Sequence, residues 1–389
     1  MEKVSLYEYS KHNFEEIQKE MTIYYVTLND IQQLNDEDKE VAEKHLEKIE
    51  NFECFDLTLL ISLNNGRIDL WVSSMINIFK CVQKNKMSTI FIINKTFSKD
   101  VLDSMYAFVD EILPLEFQLG IETNLYTNIV DIENFRLVEF QNYIDSHIFG
   151  NTKLKSRLFE EIHKFRVFNR IDEQPIFSAF LCGNSGIGKT ELAMQIHKYL
   201  SPDESFIKIN LGNYSGQNSL SSLIGSPRGY YGSDSGELSD KIHGSNSSVI
   251  LIDEFEKADH SIFNFFLELL SDGKFTDSLG REYDLNKYII IFTSNLAIDE
   301  INSTIPPELR SRFNLFYKLV PLTDQDKSDY VSYKCEYYSK KISDEYEIEI
   351  SQNQLNNIAN IDVSKYNNLR YINKQIQLNL LNELKDEII

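Results

Sequence analysis

From about residue 150 onward, short apolar runs alternate with stretches whose apolar residues recur every three or four positions. Ile176 to Leu181, Phe206 to Leu211, Val249 to Ile252, Tyr288 to Thr293 and Phe316 to Val320 read as parallel strands buried on both faces. Between them, Lys153 to Arg170, Glu191 to Leu200 and Ile262 to Leu270 carry helical spacing, so this region is expected to be an α/β sandwich. After Pro321 the strand-like runs stop, and Asp324 to Ile342, Gln352 to Ile361 and Lys365 to Glu387 predict a small all-helical subdomain. The first half predicts strands at Thr22 to Leu28, Leu57 to Leu63, Thr89 to Ile93 and Phe117 to Ile121. Its helices are expected at Asp38 to Ile49, Ile68 to Gln83 and Asp100 to Ile112. The expected organisation is a separate α/β domain over 1–144, a large α/β domain over 145–321 and a helical lid over 322–389.

Composition changes this picture in two places. A formal net charge of −21 over 389 residues favours solubility and argues against a broad nucleic-acid surface, so no nucleic-acid partner is expected. The four cysteines, Cys54, Cys81, Cys182 and Cys335, are scattered without C-x-x-C or zinc spacing, as in a reduced cytoplasmic protein. No secretory segment and no membrane span is evident, so cytoplasm is the expected location, with no membrane partner.

The chemistry begins at Gly183-Asn184-Ser185-Gly186-Ile187-Gly188-Lys189-Thr190, a G-x-x-x-x-G-K-[ST] phosphate loop between an expected strand and helix. Its glycines let backbone N–H groups curl around phosphate oxygens, and the following helix points its positive end at them. Thr190 offers a hydroxyl to Mg²⁺. Downstream, Leu251-Ile252-Asp253-Glu254 ends a hydrophobic strand in two acids. Asp253 is expected to hold Mg²⁺ through water and Glu254 to polarise the water that attacks the γ-phosphate. Together these motifs predict hydrolysis of a nucleoside triphosphate, ATP or GTP, with Mg²⁺ as cofactor, and the resemblance set out next implies that it is ATP.

Further segments resemble the second ATPase module of Clp-type AAA+ unfoldases and disaggregases. They are Leu223 to Gly232, Val249 to Ala258, Asp272 to Asp277, Gly280-Arg281, Thr293-Ser294-Asn295 and Pro307 to Phe313, in the family's order and approximate spacing. The resemblance covers roughly Asp145 to Ile389 and implies an AAA+ P-loop core with a parallel sheet and a small helical lid, preceded by an α/β domain outside the family. It implies that Asn295 is the sensor-1 residue, that Arg312 rather than Arg310 is the arginine finger reaching into a neighbouring subunit, and that Arg370 is the sensor-2 residue. Ile148 and Phe149 resemble the segment packed against adenine. Tyr230 resembles the pore-loop residue that grips an extended polypeptide, with Tyr231 standing where the family commonly has an aliphatic residue.

There are departures. Asn368-Leu369 replaces the usual Gly-Ala before Arg370, and the ten residues between Asn295 and Pro306 lack the aliphatic-Gly-aliphatic loop with which protease-coupled relatives dock on their peptidase. The resemblance implies a homo-oligomeric, hexameric ring acting on a polypeptide client, with no Clp-peptidase docking loop. The competing expectation is a regulatory or defence switch, in which the ring controls its N-terminal domain or a partner and nothing is threaded.

Overall fold

The computed structural model describes residues 3–9, 13–34, 44–45, 47–49, 51–62, 68–84, 87, 89–120, 128–202, 204–214, 219–226, 236–346, 348 and 350–385. The chain divides into two compact units, Met1–Leu125 and Tyr126–Ile389. The helix Asn134–His147, which straddles the expected boundary at 144/145, packs within the second unit, where Tyr143 Oη donates to Gln195 Oε1 at 2.8 Å. No helix among the described residues is long and apolar enough to cross a membrane.

The first unit is a five-stranded, wholly parallel sheet. Its strands are β1 Val4–Tyr9, β2 Ile23–Tyr25, β3 Cys54–Asp56, β4 Ile90–Asn94 and β5 Val109–Pro114, in the order β2-β3-β4-β1-β5. One face packs on helices Ile68–Lys84 and Ser98–Met105 through Met75, Phe79, Val101 and Met105, and the other on Phe14–Glu20 and Leu115–Leu119 through Ile17 and Leu115.

Several local expectations for this unit are corrected. Leu57 to Leu63 does not continue as a strand, because Thr58–Ser62 is helical and Leu57, Leu60 and Ile61 turn inward at helical spacing. Asp100 to Ile112 is not one helix: the helix ends at Met105, and Val109 starts a strand paired with β1. Leu115–Leu119 is helical where a strand was expected from Phe117. The expected Asp38 to Ile49 helix lies largely outside the described residues.

The second unit holds the sheet that the apolar runs predict. Its strands are β6 Phe177–Cys182, β7 Ile207–Asn210, β8 Val249–Asp253, β11 Ile289–Ser294 and β12 Leu315–Lys318, all parallel in the order β12-β6-β11-β8-β7. A small antiparallel pair, β9 Lys274–Thr276 and β10 Glu282–Asp284, stands apart. Phe177, Ala179 and Leu181 enter the core on one face with Leu158, Ile162 and Ile196, whereas Phe180 and Cys182 enter the other with Phe255, Phe266 and Phe292. Burial on both faces is why the runs are continuously apolar rather than alternating. Three helices, Asp324–Tyr346, Gln352–Ala359 and Leu369–Glu383, pack around Val331, Ile358, Ile372 and Ile376 as a separate small core.

The consequence for function lies in the strand order. β11 sits between β6 and β8, so the carboxyl ends of these three strands present the phosphate loop, Asn295 and the Asp253-Glu254 pair side by side. Ligands of open parallel sheets bind outside this carboxyl edge.

Candidate nucleotide site

Strand β6 runs into the loop Gly183–Gly188, and the helix Lys189–Leu200 starts at once. Gly186 and Gly188 stand at φ +77° and +104°, a left-handed region that a side chain disfavours. Lys189 is buried; its Nζ donates to the Gly183 and Asn184 carbonyls and, at 3.1 Å, to Asn295 Oδ1. Burial pulls its pKa below the usual lysine range, against the opposing fields of Glu256 and Asp253.

Asp253 ends β8 with its carboxylate only 18% exposed. Lys208 Nζ, from β7, lies 2.9 Å from its Oδ2, and Thr293 Oγ1 donates to its Oδ1. Burial works against ionisation here, but the hydrogen bonds from Lys208 and Thr293 overcome it and hold the carboxyl below its usual pKa. Glu254 adopts a left-handed backbone conformation, φ 57°, which is uncommon outside glycine and turns the chain sharply after the strand. Its Oε2 pairs with Lys257 at 2.7 Å and lies where a Cβ on residue 212 would be, so only glycine leaves it that place.

The lid reaches this loop directly. Asn368 caps the helix Leu369–Glu383, its Oδ1 accepting from Arg370 N–H at 2.8 Å, while its Nδ2 donates to the Ser185 carbonyl at 3.2 Å. Leu369 N–H donates to the Gly186 carbonyl at 3.2 Å, and Arg370 Nη1 donates to Ser185 Oγ at 2.9 Å. Asn368 and Leu369, the positions that depart from Gly-Ala, therefore sit on the phosphate loop itself.

These groups line one cleft of about 370 Å³. Its lining includes a polar, charged set, Ser185 to Thr190, Asp253, Glu254, Asn295 and Arg370, and a largely aromatic set, His147, Ile148, Phe149, Tyr330 and Tyr333. The Phe149 ring meets Tyr330 edge-on at 5.7 Å and Tyr333 at 5.4 Å, and Lys334 Nζ stands within 6 Å of the rings of Tyr330, Tyr333 and Tyr337. A polar, charged set of groups and an aromatic set are what a nucleotide's phosphates and base require.

The oxygen donors fit a hard cation. Thr190 supplies a hydroxyl and Asp253 a carboxylate that already accommodates an ammonium. No group of three or more His, Cys, Asp or Glu among the described residues could hold a metal alone, so an ion here would need phosphate and water oxygens to complete its shell.

The sequence-predicted residues Ile148, Phe149, Ser185 to Thr190, Asp253, Glu254, Asn295 and Arg370 are thus brought to one cleft, with Gly183 and Asn184 at its loop. Arg312 is not among its lining residues: its side chain is exposed, whereas Arg310 donates to Asn302 Oδ1 and buries its Nε. Tyr230 and Tyr231 lie outside the described residues. Lys208, Gly212, Tyr330 and Tyr333 were not singled out from the sequence, and Thr293 was named only within the segment Thr293-Ser294-Asn295, not as a partner of Asp253. Of these, Lys208 left a trace, a lone cation between two buried isoleucines of a strand.

Residues 174–315 match the family model described as AAA domain (Cdc48 subfamily). Over 177 residues the chain is 36% identical to the negative regulator of genetic competence ClpC/MecB of Bacillus subtilis, an alignment covering 45% of this chain and 22% of that protein. It is 27% identical over 293 residues to chaperone protein ClpB of Bacteroides thetaiotaomicron, covering 68% of this chain and 34% of the relative. It is 35% identical over 195 residues to the ATP-dependent Clp protease ATP-binding subunit ClpA homolog of Trieres chinensis, covering 49% and 22%. The chain therefore spans about a third or less of the length of these three relatives.

Proposed function

We propose that this chain, which carries a Clp-type AAA+ ATPase domain, hydrolyses ATP in a homo-oligomeric, hexameric ring and uses the cycle to unfold or remodel polypeptide clients. The observation that carries this reading is the convergence of Lys189, Asp253, Glu254, Asn295 and Arg370 on one cleft that Phe149, Tyr330 and Tyr333 also line. The phosphate-loop N–H groups hold the β- and γ-phosphates, and Lys189 exchanges the Gly183 and Asn184 carbonyls for phosphate oxygens. Thr190 and Asp253 would hold Mg²⁺, which when bound would neutralise phosphate charge. Glu254 leaves Lys257 to orient the attacking water, and Asn295, an amide that donates and accepts at once, steadies water and γ-phosphate together. Arg312, exposed, reaches the neighbouring subunit's site. Tyr230, beside Tyr231, grips the client by ring contacts that tolerate any sequence.

A second reading, a switch in which the ring controls its N-terminal unit without threading, is favoured by one observation. That unit has its own five-stranded sheet and its own cores. The Glu254→Gln protein separates the two. With ATP bound and turnover blocked, it should retain a fluorescent unfolded polypeptide, measured by anisotropy, and Tyr230→Ala in that background should release it. Assembly driven by ATP without any polypeptide retention would reject remodelling and favour the switch.

A further inference from the structure

Asp253 does not wait unpartnered for its cation. Lys208 Nζ lies 2.9 Å from its Oδ2, on a carboxylate that is 18% exposed and lines the nucleotide cleft. This differs from an ordinary surface pair, in which both partners are solvated and the interaction contributes little. The β7–β8 register holds it in place: Lys208 pairs with Leu251 and Asn210 with Asp253, while Ile207 and Ile209 on either side of Lys208 are buried. Lys241 Nζ donates to the Lys208 carbonyl at 2.6 Å and pairs with Glu237 at 2.5 Å, which ties this stretch of β7 to the helix Glu237–His243.

We propose that Lys208 is a built-in competitor of the divalent cation at Asp253, an internal monovalent charge that must be displaced before Asp253 can serve Mg²⁺. The inference rests on the nucleotide-site reading above. Coulomb repulsion between an ammonium and a divalent ion at one carboxylate is unfavourable at any local dielectric, so each weakens the other's hold. The Lys208 side chain is 40% exposed, so the displaced ammonium can swing into water at little cost. That makes it a competitor that tunes affinity rather than a block. Thr293 can stay on Oδ1 throughout, because a carboxylate oxygen has a second lone pair and a hydroxyl carries no charge.

Mn²⁺ counted by its paramagnetic resonance signal reads the competition without turnover. The full-length protein is titrated with Mn²⁺ at fixed ionic strength in the presence of a non-hydrolysable ATP analogue. Lys208→Met and, as a second neutral variant, Lys208→Gln should each bind Mn²⁺ roughly three- to tenfold more tightly than the parent. Lys208→Arg, which keeps the charge, should stay within about twofold, and raising the salt concentration should shrink the differences. Unchanged or weaker Mn²⁺ binding in both neutral variants overturns the competition. A parent protein that binds the analogue's Mn²⁺ complex nowhere overturns the site reading as well, so the two failures are told apart by the parent titration alone.

Discussion

Gly186 is where the lid and the phosphate loop touch, and a single methyl group there tests that contact. The backbone stands at φ +77°, and a Cβ at residue 186 would overlap the Asn368 carboxamide. In Gly186→Ala the left-handed backbone alone costs about 1–2 kcal/mol. The carboxamide must also leave, taking its bond to the Ser185 carbonyl, worth about 0.5–1.5 kcal/mol. Its cap on the Arg370 N–H goes with it, at about 0.5–2 kcal/mol. The lost Ser185 bond acts on lid docking and the lost cap on the first turn of the lid helix; together, at about 1–3.5 kcal/mol, they raise the opening equilibrium at the start of that helix by several-fold to a few hundred-fold.

Hydrogen exchange at Leu369 reads this directly, because its N–H donates to the Gly186 carbonyl. Protection of that amide should fall by about tenfold to a hundredfold in Gly186→Ala, and by a similar factor in Asn368→Gly. The decisive case is the double variant. With the carboxamide gone, the new methyl group has nothing to strike, so Gly186→Ala with Asn368→Gly should lose little more protection than Asn368→Gly alone. Losses that simply add would show that Asn368 does not lie over Gly186 in solution.

Two further outcomes are expected, the first resting on the role proposed for Arg312 and the second on the burial of His197. Arg312→Ala should leave the thermal midpoint nearly unchanged, since the side chain is exposed, and lower ATP turnover by about 10³-fold or more, with partial rescue on mixing with Lys189→Met subunits that still supply Arg312; Arg310→Ala, which breaks the bond to Asn302, should instead cost about 1 kcal/mol of stability. Burial beside Phe206 and Ser247 holds His197 neutral, with a pKa below the ordinary 6.5, so its contribution to stability is complete above pH 6.5 and is lost as pH falls through the lower folded value; His197→Gln should flatten the fall of the urea midpoint between pH 7 and 5, and an unaltered slope would refute this assignment.

The parts legible in the sequence are those whose chemistry is local. A phosphate loop must follow a strand and open a helix, so Gly183 to Thr190 announces both elements, and continuous apolar runs announce strands buried on two faces, as Ile289 to Ser294 is. The first unit resisted because its signals are short. Leu57 to Leu63 is apolar enough for a strand or a buried helix, and only the packing of Leu57, Leu60 and Ile61 decides between them. Val4–Tyr9 carries polar residues at Ser5 and Glu8 although it lies inside the sheet, between β4 and β5. Lys208 on Asp253 and Asn368 on Ser185 are contacts across 45 and 183 residues, and no local periodicity encodes a partner that far away.

Those long-range contacts share a physical cause. A charge buried at a cleft is costly unless it is paired, which Lys189 and Asp253 are, and the more exposed Glu254 and Arg370 also have partners within the protein. Lys189 has the Gly183 and Asn184 carbonyls and Asn295, Asp253 has Lys208 and Thr293, Glu254 has Lys257, and Arg370 has Ser185. Binding is then an exchange of partners rather than the filling of a charged hole. Its free energy is the difference between two satisfied networks, which is smaller than either and therefore reversible within a catalytic cycle. The same exchange carries information. Releasing Arg370 from Ser185 loosens the lid's hold on the loop, and releasing Lys208 from Asp253 removes one side-chain tie from β7, a strand that stays paired with β8 and is joined through Lys241 to the helix Glu237–His243. Two of these pairs, Arg370 with Ser185 and Lys208 with Asp253, reach beyond the loop and connect the site's occupancy to the lid and to β7.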